Sequence, residues 1–411
     1  MPKFFYIARD KTGSKIRGAE ESSSQEEVIT RLQARDLIVV NILTEDKAGL
    51  GKSGTAVKSE FRPRHYGITS YDLVLLCRQL AILLGAGVTI LKSLDIISKQ
   101  VSSRKLYNVI KDLTKNMEAG LSFHEAMTKH PAVFSDLWVN LVESGEASGN
   151  LAIVLSRLAA YLERNDSFKK KIVSSLMYPA ILLFVGFGAL LFLTVKIIPT
   201  FATLFEGFKI TLPLLTRVLL GISSLIRKYG IIFIALIISG FFALRGYVRT
   251  KDGRRIYEKI KFRLPIFGEF FRGLILERFS SEMSTLVESG VPILYSLEIA
   301  EHSVGNLVIA DVIRQIKDEV REGKSLHQPL EKSGFFEPMV VQMIAIGEEI
   351  GELAQMFKRI NSFYQEYVET FLTRFSSMFE PIMLIFMGGV IGIMVIGMFL
   401  PIFQIATLGG K

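Results

Sequence analysis

Among its 411 residues the chain has one cysteine, one tryptophan and five histidines. A single thiol, Cys77, closes no intramolecular disulfide, and its place in the apolar run 71–84 predicts a buried, inert side chain. His65, His124, His130, His302 and His327 include no pair at i, i+4 spacing, so neither a metal nor a cofactor is expected. The first twenty residues lack an apolar core, which argues against a cleavable signal peptide. No Ser, His and Asp grouping is readable from spacing. Neighbouring carboxylates such as Glu143 and Glu146, or Glu348, Glu349 and Glu352, are explained more simply as solvated helix ends than as an acid–base pair. Gly51-Lys52-Ser53 invites a phosphate-loop reading, but Asp46 stands where the first glycine belongs and no apolar helix follows. These absences point away from an enzyme.

What is present is apolar length. Thirty phenylalanines contribute to a 49% apolar composition, and three stretches are free of charge. Residues 176–195 suffice for a bilayer core of about 30 Å at 1.5 Å per residue. Residues 381–410 are uncharged throughout, and their apolar part, to about 405, is long enough for another span. The middle candidate, 229–244, is short, but Lys228 and Arg245 can snorkel from its ends. Bases cluster before the first span (Arg164, Lys169, Lys170, Lys171) and after the second (Arg245 to Arg263), and are sparse in 199–228 and in the tail. That bias predicts a cytoplasmic N-terminus, cytoplasmic segments before the first span and after the second, and an external C-terminus. It also assigns the net charge of +9 to bases facing an anionic lipid surface, so no nucleic acid is expected as partner.

Self-comparison shows one unit used twice. At a shift of 203, 83–88 faces 286–291, Leu91, Ser93 and Leu94 match Leu294, Ser296 and Leu297, and Gly120-x-Ser122 matches Gly323-x-Ser325. After one lost residue the shift is 202. Gly145-Glu146-x-x-Gly149 then faces Gly347-Glu348-x-x-Gly351, Pro179 faces Pro381, and Pro199 faces Pro401. Capping boxes at Thr69-x-x-Asp72 and Ser122-x-x-Glu125 start helices, while Gly87, Gly120, Gly145 and Gly149, with Gly290, Gly323, Gly347 and Gly351, are expected at helix ends. Each unit is therefore an antiparallel helical bundle whose last helix carries one apolar stripe: Leu151, Val154, Leu155, Leu158, Leu162, then Leu353, Phe357, Ile360, Tyr364, Tyr367. No proline separates either stripe from its span, so bundle and span can share one helix. Two copies in the same orientation require a return crossing, and 229–244 is the only candidate. Trp138-Val139-Asn140 has no match in Val340-Val341-Gln342, so the bundles need not bind the same partner.

The expected fold is a mainly α, polytopic membrane protein with two tandem cytoplasmic helical bundles, three transmembrane helices and a small N-terminal α/β domain. Its parts are that domain (1–43, with strands near 4–8 and 37–43 and a helix near 25–34), a flexible linker (44–66) and bundle 1 (67–172). Then come the first span (173–198), an external amphipathic segment (199–228), the second span (229–247), bundle 2 (248–376), the third span (377–405) and a short external tail (406–411).

RQLAILLGAGV, FSSEMSTLVESGV, the two Gly-Glu-x-x-Gly turns and the proline-marked spans (Pro179, Pro199, Pro381, Pro401) together resemble the inner-membrane platform protein of type II secretion and type IV pilus systems, the GspF/PilC family. The likeness covers about 67–405, and FFYIARDKTGSKIRG resembles that family's leading domain. It implies a non-enzymatic platform in the cytoplasmic membrane. Its implied partners are a hexameric secretion or pilus ATPase, pilins or pseudopilins, other inner-membrane assembly proteins and further copies of itself. Candidate coupling or structural residues are Gly87, Gly145, Glu146 and Gly149 with Gly290, Gly347, Glu348 and Gly351. The competing class, a transporter or channel component with duplicated cytoplasmic domains, would want ionisable groups within its spans; only Lys196, at an end, is present.

Overall fold

A computed structural model describes residues 3–9, 15–35, 37–44, 65–206 and 212–408. Most of the linker, with Gly51-Lys52-Ser53, and the last three residues of the tail lie outside them. The chain divides into two units, Met1–Arg62 and Pro63–Lys411.

The first unit is a three-stranded antiparallel sheet of order β2-β1-β3, from β1 (Lys3–Arg9), β2 (Lys15–Glu21) and β3 (Ile38–Thr44), with one helix, α1 (Gln25–Gln33). Ser24 accepts from the Glu27 backbone N–H and starts α1, whose Val28 and Leu32 bury against Phe4. Strand β2 was not expected, because KIRGAEE has no apolar alternation. It pairs with β1 from Lys3 opposite Glu21 to Arg9 opposite Lys15, and Gly18 leaves room for the ring of Tyr6 opposite it, which occupies the space a β-carbon would need.

In the second unit, bundle 1 comprises α2 (Ser70–Gly85), α3 (Ile90–Ser98), α4 (Arg104–Glu118), α5 (Phe123–Thr128), α6 (Asp136–Ala147) and α7 (Leu151–Phe192). Both expected capping boxes form. Helix α7 passes through a π turn at Leu193–Ile197 into α8 (Ile198–Glu206). The return crossing is α9 (Leu214–Val248), followed by α10 (Lys251–Arg263). Bundle 2 repeats the pattern with α11 (Phe267–Glu288), α12 (Ile293–Ser303), α13 (Leu307–Arg321), α14 (His327–Lys332), α15 (Pro338–Ile350) and α16 (Leu353–Leu408).

Each bundle has a buried core, and the first also takes in Leu286, Val291 and Ile299 of bundle 2. The stripe residues Val154, Leu155 and Leu158 lie in the first, and Phe357, Ile360 and Tyr364 in the second. Cys77 is fully buried, and burial pushes its thiol well above the usual range. Trp138 is buried against Phe134 at 5.2 Å. Its counterpart is Val340, and the volume is made up by Phe279 and Phe357, which stand where bundle 1 has Leu76 and Leu155. The difference at Trp138 is therefore one of core packing.

Among the described residues three helices are long and apolar enough to cross a membrane: Leu151–Phe201, Leu214–Val248 and Leu353–Phe403. In α9, Ile231, Phe233, Leu236, Ile237, Ile238 and Phe242 are all exposed. A helix apolar on every face and covered on none requires lipid around it. The first and third span helices run side by side below the bundles: Phe168 packs with Val368 and Leu372, and Lys171 pairs with Glu369 at 3.1 Å.

Candidate functional site

The repeated Gly-Glu-x-x-Gly sequence has a distinct task for each member. Gly145 and Gly347 do not end helices as expected; they lie inside α6 and α15. A β-carbon on Gly145 would stand 3.2 Å from the Leu151 Cα, and one on Gly347 would stand 2.7 Å from the Met356 Cγ. Glycine here lets the penultimate helix press against the start of the last one. The turn itself is made by Gly149 and Gly351, at φ of 71° and 76°, a left-handed conformation costing other residues about 1–2 kcal/mol. Gly87 and Gly290, at 81° and 82°, make the corresponding turns after α2 and α11.

The glutamates are spent on a helix start. Glu146 accepts from the backbone N–H groups of Phe123 and His124 at 2.8 and 3.0 Å, and lies 2.6 Å from His124 Nδ1. The Glu125 carboxylate accepts from the Ser122 N–H and the Ser122 hydroxyl from the Glu125 N–H, so all four N–H groups that open α5 are bonded. Glu348 repeats this on Leu326, His327 and the His327 ring, at 2.7, 3.4 and 2.9 Å. The sequence reading of these carboxylates as merely solvated helix ends is thus corrected: each ties the last turn of one helix to the first turn of another 22 or so residues earlier.

The prolines do more than mark spans. Proline lacks the N–H that would bond the carbonyl four residues earlier, and three of the four carbonyls released find a donor on another helix. Pro179 frees Ser175, whose carbonyl accepts from the Ser376 hydroxyl of α16 at 2.9 Å. Pro401 frees Gly397, which accepts from the Thr216 hydroxyl of α9 at 2.5 Å. Pro199 frees Val195, reached by the Arg227 guanidinium at 3.5 Å. The π turn releases one more: the Ile198 N–H bonds to Leu193, and the vacated Thr194 carbonyl accepts from Ser223. Glycines permit the approach, since a β-carbon on Gly397 would meet Leu219 at 2.5 Å and one on Gly186 would meet Met387 at 3.3 Å. Freed carbonyls in an apolar medium thus become the cross-links between spans.

Two buried carboxylates have no counterpart among the sequence expectations. Glu277 and Glu282 of α11 are both buried. Glu277 accepts from Asn361 and Gln365, each at 3.1 Å, and burial raises its carboxyl above the usual range. Glu282 is bonded by Arg278 at 3.2 Å, by the Ser303 hydroxyl and, at 3.4 Å, by the Tyr161 hydroxyl of bundle 1; burial raises it too, against those donors. The signal available was the repeat itself, because bundle 1 has Val74 and Gln79 at these positions. Among the described residues no group of three His, Cys, Asp or Glu side chains could hold a metal ion. Every polar constellation described above holds helices together.

These features define a three-span membrane protein with a duplicated helical bundle, each copy ending in a helix shared with a span. The family description "Type II secretion system (T2SS), protein F" matches twice, at residues 76–199 and 279–401, and the description of that protein's N-terminal domain matches residues 1–43. The chain belongs to the type II secretion system protein F family, and it is a multi-pass inner-membrane protein. It is 36% identical over 406 residues to a type IV pilus assembly protein PilC of Thermus thermophilus, covering 98% of each chain. It is 32% identical over 404 residues to the PilC protein of Myxococcus xanthus, covering 98% of this chain and 95% of that one. A type II secretion system protein F of Pseudomonas aeruginosa is 32% identical over 413 residues, the full length of both.

Proposed function

We propose that the chain is the inner-membrane assembly platform of a type IV pilus or type II secretion machine, coupling a cytoplasmic hexameric ATPase to polymerisation of pilins or pseudopilins. The N-terminus and both bundles face the cytoplasm, the C-terminus faces outward, and juxtamembrane bases contact anionic lipid. The protein has no catalysis of its own; it works with the ATPase, the pilins, other inner-membrane assembly proteins and further copies of itself. The observation that carries the coupling is continuity. Helix α7 runs unbroken through 165–175 and α16 through 367–377, so bundle and span share one rod on each side. A rotation of a bundle is then felt at the membrane.

Deleting the gene and scoring pili and secreted proteins tests the role. Ser167→Pro, on the exposed face of α7, tests the rod, because an interior proline kinks a helix at a cost of about 3 kcal/mol. The expected result is loss of assembly at unchanged membrane abundance, with Ser167→Ala normal. Normal assembly with the proline variant would overturn transmission through a stiff helix. Charge reversal at Glu146 and Glu348 asks whether the Gly-Glu-x-x-Gly turns, with Gly87 and Gly290, also meet the ATPase. Assembly lost while the protein persists supports that; loss of the protein leaves the capping role alone.

A further inference from the structure

Within the chain the two bundles meet through unlike faces. The α6–α7 side of bundle 1 packs on the α11–α12 side of bundle 2, and Leu286, Val291 and Ile299 of bundle 2 belong to the first bundle's core. The Tyr161 hydroxyl donates to Glu282, and the Arg157 guanidinium donates to the Glu288 carbonyl. A two-fold relation between the units would bury the reciprocal pair as well. It does not. Tyr161 is 6% exposed, yet its counterpart Phe363 is 42% exposed; Thr285 is 2% exposed, yet its counterpart Ile82 is 64% exposed. The contact is therefore head-to-tail, and each chain keeps one unused head on bundle 1 and one unused tail on bundle 2.

The unused head has the form of the used one. Gln79 donates to Gln100 at 3.1 Å, at the positions where bundle 2 has Glu282 bonded to Ser303. An open groove of about 220 Å³, lined among others by Tyr71, Leu75, Gln79 and Gln100, lies where bundle 2 receives Tyr161, since Leu75 and Gln79 are the counterparts of Arg278 and Glu282. The unused tail presents Phe363, Ile346 and Ile350, all exposed, with Arg359 at the place of Arg157. The chemistry changes in step on both sides. Inside the chain a phenol meets a carboxylate and a guanidinium; on the open faces a plain phenyl matches a leucine and an amide.

We propose that the tail of one copy docks on the head of a second copy, with Phe363 entering the Leu75–Gln79–Gln100 groove and Arg359 donating to the Gly85 carbonyl. Both units of the repeat enter the membrane in the same sense, so the same contact can continue between chains in the membrane plane. The inference rests on the reading that copies associate and not on coupling to an ATPase, so cross-linking rather than pilus formation is its readout.

The test uses the full-length protein in membranes with Cys77 replaced by serine. A Phe363→Cys chain and a Gln79→Cys chain, carrying different tags, are co-expressed and treated with a short bismaleimide. A cross-linked species bearing both tags, with neither variant cross-linking when expressed alone, is the expected result. A Tyr161→Cys, Glu282→Cys double variant should be joined within one chain by the same reagent. Self-cross-linking of Phe363→Cys alone would show a symmetric contact and overturn the proposal. So would absence of the mixed species while the internal pair is joined, and failure of the internal pair would remove the template on which the proposal stands.

Discussion

Replacing Thr216 by valine keeps the shape of the side chain and removes one hydroxyl. Thr216 is buried, and its hydroxyl donates to Gly397, a carbonyl with no intrahelical donor because residue 401 is proline. Leaving a buried carbonyl unbonded costs about 1–3 kcal/mol in soluble proteins. Hydrogen bonds measured by cycles in a membrane protein average about 0.6 and reach about 1.7 kcal/mol. The N–H that would otherwise bond the Gly397 carbonyl is missing at Pro401, so the upper part of that membrane range applies, about 1–1.5 kcal/mol. Pro401→Ala restores an N–H aimed at Gly397 from its own helix. In that background Thr216→Val should cost less than about 0.5 kcal/mol, giving a coupling near 1 kcal/mol between residues on different helices. Unfolding of the four proteins in detergent by added dodecyl sulfate, followed by helicity, measures the cycle. Additivity within about 0.3–0.5 kcal/mol would refute the claim that Thr216 serves the carbonyl that Pro401 releases.

Three further outcomes follow from the bundles. Glu146→Ala and Glu348→Ala should each lower stability by about 1.5–3 kcal/mol, since a charged acceptor is lost from two backbone donors; thermal unfolding showing less than about 0.5 kcal/mol would deny them the capping role. Gly149→Ala and Gly351→Ala should cost about 1–2 kcal/mol each through the left-handed turn, seen as a lower midpoint in the same experiment. Glu277→Gln should change the pH dependence of stability. The folded-state pKa of Glu277 is raised, so its contribution is full below the ordinary glutamate value of about 4.3 and is lost as pH rises through the raised value. Relative to the variant, the unsubstituted protein should therefore weaken on going from acid to neutral pH; parallel midpoint curves over that interval would contradict this.

The repeat, the three spans and the helix starts were legible because each leaves a local mark: matching glycines, uncharged length, a hydroxyl three residues before a carboxylate. The second β-strand left none, since KIRGAEE has no apolar alternation and its pairing is made by the backbone against β1. The tasks of Gly145 and Glu146 were hidden for a similar reason. Their partners, Leu151 and Val154 for the glycine and Phe123 and His124 for the glutamate, are set by how helices cross. The prolines could be seen and their consequence could not, because a freed carbonyl matters only when a neighbouring helix presents a donor at its height. Glu277 and Glu282 carry no local mark of burial, although the apolar or neutral residues at the matching positions of bundle 1, Val74 and Gln79, distinguish them.

The cross-links also constrain what can move. Helices α7 and α16 are joined below the bundles by the Phe168 cluster, by Lys171 with Glu369, and by Ser376 on the Ser175 carbonyl. Gly186 lets Met387 close the same seam deeper in the spans. The first and third spans are thus held at several heights and should tilt as one body when a bundle turns. Helix α9 differs, because its contacts with the other two, among them Thr216, Leu219, Ser223 and Arg227, come before the uncovered apolar stretch begins at Tyr229. The rest of that helix is surrounded by lipid, so it can change its angle to the pair without breaking a protein contact. A turn of the bundles would therefore move a two-helix blade past a third helix pivoting at its N-terminal end. Loosening the pivot by Thr216→Val or Ser223→Ala should disturb assembly more than stability, whereas Ser376→Ala, within the blade, should disturb both together.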